Sequence, residues 1–141
     1  MTEITFSNQT VQIMNLTSKQ TGAQIKDCVV EDDRIVFVVE KGHLGAAIGS
    51  KAKNLDKLRN LLKKNVKFVE YDADITRFIH NLCKPYTITD VQIEGDSENS
   101  VVKIQVSPRE KSRIIGKEGR NINLIRKIAQ RHHAIKDVQI I

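Results

Sequence analysis

The residues best suited to chemistry are Arg113, Ile115, Gly116, Lys117, Glu118, Gly119, Arg120 and Ile122. Two glycines stand three apart, isoleucines flank them, and cations lie inside and beside the turn. Without a Cβ, glycine lets another backbone approach closely and opens positive φ. The residues after the turn begin a helix, whose first N–H groups lack a carbonyl four residues back and whose dipole end is positive. Such a turn suits a phosphodiester, and Lys117 and Arg120 add mobile positive charge. A second stretch, Gly49, Ser50, Lys51, Ala52 and Lys53, has the same layout with Ala at the second glycine position. Ala tolerates positive φ poorly and adds a methyl where a phosphate would approach. Lys51 and Lys53 keep the charge.

The charge distribution points the same way. The chain has 141 residues and a net charge of +6. Residues 41–67 and 109–131 hold 16 of the 23 Lys and Arg but only Asp56, Glu110 and Glu118 of the 17 acids. A basic balance suits a polyanionic partner without naming it. Solvated helix faces would also account for the two blocks taken alone.

Several function classes lack their residues. Cys28 and Cys83 each sit in an apolar segment with no CxxC and no Cys/His cluster, so buried thiols are expected rather than a metal site. Adjacent His132 and His133 cannot face one point on a helix, so they suit the helix C-terminal dipole better than a metal. Gly42 and Gly45 precede Gly49, but their spacing fits neither nucleotide-loop motif. No nucleophile–base pair or apolar carboxylate pair is evident. No catalytic residue, cofactor or small-molecule substrate is expected. No apolar run approaches 18 residues, so neither a membrane span nor a signal peptide is expected, and a cytoplasmic protein is.

The elements that must position these turns follow from periodicity. A short strand is expected at Ile4–Phe6, then a helix from Asn8 to Lys19, capped by Ser7 and stopped at Gly22. Its apolar positions are Val11, Ile13, Met14 and Leu16. Strands are expected at 25–31, 34–40 and 66–71. The second is a near-continuous apolar run and reads as central. A helix over 54–64 places Leu55, Leu58, Leu61 and Leu62 on one face. A helix from about Asp74 to Cys83, strands at 91–94 and 101–106, a helix from Asn121 and a strand at 136–141 complete the chain. Ser107, Pro108, Arg109 and Glu110 read as a capping box. Asn54 and Asn121 read as caps of the helices after their turns.

These elements repeat. A shift of 67 residues places Arg34–Val39 on Val101–Val106, Ile48-Gly49 on Ile115-Gly116, Asn54 on Asn121 and Leu58 on Ile125. A two-residue slip then places Val66 on Ile135. Two α/β units follow, residues 1–72 and 73–141, each with the order helix, strand, strand, short helix, turn, helix, strand. One sheet face of each would be covered by three helices.

The order helix-strand-strand-helix-helix-strand, with Ile-Gly-x-x-Gly-x-x-Ile over 115–122, is similar to the type II (prokaryotic) KH domain. Two such domains in tandem resemble the archaeal NusA-like family of transcription factors, over essentially the whole chain. The second turn matches the family loop, which clamps about four nucleotides; the first departs from it at Ala52. The resemblance implies an α+β fold of two tandem three-stranded sheets, each covered by three helices, and a monomeric, non-enzymatic RNA-binding protein. It implies single-stranded RNA held by its backbone at Gly116, Lys117, Glu118, Gly119 and Arg120, and at Gly49, Ser50, Lys51, Ala52 and Lys53. Ile115 and Ile122 would floor the groove for bases, with Arg113, Arg126 and Arg131 along the backbone path. The implied role is control of elongation or termination on nascent RNA. RNA polymerase is a candidate partner only, because the polymerase-binding domain and oligonucleotide-binding barrel of larger bacterial members are not among these residues. A KH protein of ribosome assembly or RNA processing, or a KH pair used for protein contacts, remains the alternative.

Overall fold

The computed structural model describes residues 6–141, and the expected strand at Ile4–Phe6 falls largely outside them; Phe6 itself is in no strand. The chain divides into two compact units, with the division between Asp72 and Ala73.

The first unit begins with α1, Asn8–Thr21. Ser7 accepts a hydrogen bond from the Thr10 N–H (3.1 Å), and Gly22, at φ 73°, donates to the Ser18 carbonyl (2.8 Å). Both ends of the helix are thus satisfied by the residue types that read as its caps. The strands are β1, Ile25–Val30, β2, Arg34–Val39, and β3, Asn65–Glu70. Between β2 and β3 lie α2, Leu44–Ile48, and α3, Lys53–Leu62. The sheet order is β1-β2-β3, antiparallel and then parallel, so β2 is central as expected. Ile35, Phe37, Leu58, Cys28 and Val66 form the core, and the Phe37 and Phe68 rings stack with centroids 5.5 Å apart. Every residue from Ile35 to Val39 is buried, on both faces of the strand. A continuous apolar run implies this, whereas an alternating strand does not. Along α1 the expected stripe is only half right. Ile13 and Met14 pack on the core, but Val11 and Leu16 are exposed and Thr17 is buried instead.

The second unit repeats the order with α4, Ile75–Cys83, β4, Ile88–Glu94, β5, Ser100–Val106, α5, Lys111–Ile115, α6, Arg120–His132, and β6, Ile135–Ile140. Its sheet order is β4-β5-β6 with the same senses. Val102, Ile104 and Val106 are buried while Gln105 is exposed, the single wet face that alternation predicts. The same bulge interrupts β1–β2 at Ile25/Asp27 and β4–β5 at Ile88/Asp90, and the longer turn between β4 and β5 gives the first strand of each unit a different offset in the repeat.

Two details differ from the sequence reading. Strand pairing sets Val66 beside Ile35 and Val138 beside Val102, so Val66 matches Val138 rather than Ile135. α6 has 13 residues against 10 in α3, and a register shift near Ile135 adds the rest. Buried residues recur three apart in both last strands, so the apolar pattern alone fits either alignment. The capping box at 107–110 does not form either. α5 starts at Lys111, and Glu110 turns away to accept from the Thr87 N–H ahead of β4. The Ser107 N–H faces the Thr87 carbonyl at 3.4 Å. A tertiary tie to the neighbouring strand replaces the local cap.

Candidate nucleic-acid interface

Each Gly turn joins two helices. Short helix α2 ends at Gly49, whose N–H donates to the Gly45 carbonyl (2.9 Å). α5 ends at Gly116, whose N–H donates to Ser112 (2.9 Å). A single tight turn follows, Ser50–Ala52 or Lys117–Gly119, and then the long helix begins at Lys53 or Arg120. The two turns share one backbone. Gly49 stands at φ 78°, ψ 166° and Gly116 at φ 78°, ψ 170°. Lys51 and Glu118 follow in the left-handed region, then Ala52 at φ 59° and Gly119 at φ 75°.

The two glycine positions of a turn are not equivalent. Gly49 and Gly116 lie in a region that essentially only glycine adopts. A Cβ there would also meet the chain itself, 2.9 Å from the Asn54 amide nitrogen in one case and 2.8 Å from the Asn121 N in the other. What approaches the first glycine closely is therefore the protein, not a ligand. At Gly119 a Cβ would find nothing closer than 3.7 Å, so only its φ favours glycine. Ala can hold that φ at a cost of about 1–2 kcal/mol. Substitution of the second glycine is therefore survivable, and Ala52 adopts the same left-handed backbone that it was expected to resist.

Asn54 and Asn121 do not cap their helices. Each sits one residue inside the first turn and sends its amide backwards, Asn54 to the Ala46 carbonyl (2.9 Å) and Asn121 to the Ile114 carbonyl (2.8 Å). Each ties a short helix to the long one across the Gly turn, which fixes the turn's shape. Their equal placement under the 67-residue shift was the signal for this role.

The side chains divide by environment. Ser50, Lys51, Lys53, Arg113, Lys117, Glu118 and Arg120 are exposed around the turns. Gly49, Ala52, Ile115, Gly116 and Gly119 are half-buried, and Ile122 is buried at 6% exposure. Ile122 therefore belongs to the core of its unit, and Ile115 is the more accessible of the two isoleucines. Arg126 is committed elsewhere. It donates to the Val138 carbonyl (2.7 and 3.2 Å), to the Asn123 side chain (2.7 Å) and to Asp137 (2.8 Å), tying α6 to β6. Burial raises the Asp137 carboxyl's pKa, but hydrogen bonds from Gln139, the Val138 N–H and Arg126, with the guanidinium charge, outweigh it and hold it below the usual carboxylate range. His132 and His133 pack their rings on Phe78, with centroids 5.7 and 5.3 Å away.

The turns differ in charge. α5 carries Lys111 and Arg113 at positions where α2 has Leu44 and Ala46, whereas the first turn lacks any counterpart of Glu118. Among the described residues, no helix is long and apolar enough to cross a membrane.

Comparison with known proteins gives a consistent picture. Residues 75–140 match the NusA-like second KH domain, and residues 12–76 match a KH domain. The chain is 33% identical to the probable transcription termination protein NusA of Methanococcus vannielii, over 98% of this chain and 80% of the relative. It is 31% identical to the protein of the same name from Halobacterium salinarum, over 97% of this chain and 98% of the relative. The crystal structure of APE1850 superposes with a TM-score of 0.77 at 28% identity, covering 96% of this chain and 100% of that one.

Proposed function

The chain belongs to the NusA-like family of tandem KH proteins, and from that footing we propose that it binds single-stranded RNA at its two Gly turns and acts in transcription termination. The observation that carries this reading is the shared backbone of Gly49–Ala52 and Gly116–Gly119, each held at the start of a long helix with exposed cations around it. A phosphate seated there meets first-turn amides, the positive end of the helix dipole and exposed cationic side chains. Lys51 and Lys53 supply the charge in the first unit, Lys117, Arg120 and Arg113 in the second. The bases would lie along Ile115, which keeps an accessible surface, with Ile122 supporting it from the core. The relatives carry the name probable transcription termination protein, which supports nascent RNA as the ligand and RNA polymerase as the proposed neighbour. No catalytic step is part of this reading.

The test is titration of the intact chain with short single-stranded RNAs. Gly119→Asp is the informative variant, because the backbone there has room for a Cβ. Ala52→Asp is its counterpart in the first unit. Each places a carboxylate where a phosphate would sit, and each should weaken binding by about tenfold or more, which is about 1.4 kcal/mol. About five neutralised phosphates give a salt slope on the order of −3.5, at ~0.7 per phosphate. Unchanged affinity in both variants and a slope near zero would overturn the proposal.

A further inference from the structure

At the end of α3 away from the Gly49 turn, a groove of about 380 Å³ opens between α1, the start of β2 and the end of β1. Its walls are Ile13 and Leu16 from α1, Val30 and Ile35 from the strands, and Leu61 and Leu62 from α3. Leu61 is 52% exposed, Leu16 42% and Val30 38%, three of the six exposed large apolar side chains among the described residues. Dispersed apolar exposure is ordinary, but a contiguous set in a groove marks an interaction surface. The internal repeat sharpens the point. Under the 67-residue shift Leu61 corresponds to Ile128, which is 1% exposed in its own unit, where α4 packs on α6. The same helix position is thus closed in one unit and open in the other.

We propose that this groove docks an acidic amphipathic helix of a partner protein. Lys57 stands one helical turn before Leu61 on α3, at i and i+4, and Lys64 follows the left-handed Lys63 that ends the helix. Lys64 lines the groove and donates to the Glu31 carbonyl (2.6 Å), which leaves its full charge at the rim. Among the described residues no carboxylate side chain lines the groove; Gln9 and Gln12 complete the polar edge. An apolar floor with a cationic rim fits a helix that presents Leu-like side chains at i, i+3, i+4 and i+7 with Glu or Asp beside them. RNA is the poorer occupant, since no aromatic ring lines the groove for a base to stack on. The site is independent of the Gly turns and of their proposed ligand.

The probe is a fluorescein-labelled helical peptide with Leu at those four positions and Glu elsewhere, titrated onto the full chain. A Lys-for-Glu version and a scrambled version run in parallel. The acidic peptide should bind at least tenfold more tightly than either control. Amide shifts should centre on Gln12, Leu16, Val30, Leu61 and Lys64. Leu61→Glu and Leu16→Glu, both on exposed side chains, should each weaken the acidic peptide by about tenfold with RNA affinity unchanged. Equal binding of the Lys peptide would overturn the proposal, as would a shift map centred on the Gly turns. Competition by short single-stranded RNA at the groove would reassign it to nucleic acid. A concentration-dependent dimer abolished by Leu61→Glu would reassign it to a second copy.

Discussion

The unequal demands of the two glycine positions make a quantitative prediction. Ala52 holds a left-handed backbone, at φ 59° and ψ 27°. Relieving that conformation is worth about 1–2 kcal/mol. Glycine returns about 0.4–1 kcal/mol of this through the greater freedom of its unfolded chain. Ala52→Gly should therefore stabilise the first unit by about 0.5–1 kcal/mol, a rise in Tm of roughly 2–8 °C for a unit of this size. Gly119→Ala is the mirror change and should cost about 0.5–1 kcal/mol, because a Cβ there finds no neighbour within 3.7 Å. Gly116→Ala should be worse. It leaves a region nearly reserved for glycine, which costs about 1–3 kcal/mol. Its Cβ would also sit 2.8 Å from the Asn121 N, which is backbone and cannot swing away. Overpacking of that kind costs about 1–3 kcal/mol more. The assay is guanidinium unfolding of the intact chain, checked for an unchanged m-value, with amide exchange to assign each change to its unit. If Gly119→Ala cost as much as Gly116→Ala, or if Ala52→Gly were destabilising, the distinction between the two positions would be wrong.

Three further outcomes are expected. Asn121→Asp should lose as much stability as Asn121→Ala, about 1–3 kcal/mol by denaturant melt, because Asp cannot donate to the Ile114 carbonyl; a benign Asp would restore the capping role. The Asp137 carboxyl has a folded pKa below its ordinary value of 3.8, so its contribution is present above that value and lost as pH falls through the lower folded one. Acid unfolding of the wild type should show this loss below about pH 4, and Asp137→Asn should lack it. Phe37→Ala should cost about 3–5 kcal/mol in the first unit, since the ring is fully buried against Phe68; a loss under about 1 kcal/mol in the melt would mean that the core closes around the gap.

Much of this architecture is written in the chain. Apolar period and turn residues locate the regular elements, and Ser7 and Gly22 bound α1 where local chemistry places them. A repeat at constant offset pairs β2 with β5 and one Gly turn with the other. The continuous run Ile35–Val39 identifies the central strand before any contact is known. These features are legible because each depends on neighbours within a few residues, or on a pattern that recurs.

What tertiary structure alone decided lies where a side chain had a choice of partners at long range. Glu110 was placed by sequence in a local cap and instead reaches Thr87, across the start of the neighbouring strand. Arg126 was placed beside RNA and is spent on the Val138 carbonyl and Asp137. Leu61 shares a helix face with Leu58 yet stands exposed, because the packing of α1 leaves the groove beside it open. The Ala52 turn is the clearest case. Local propensity argues against positive φ at Ala, but the helices on either side and the Asn54 tie fix the turn, and together they outweigh a strain of about 1–2 kcal/mol.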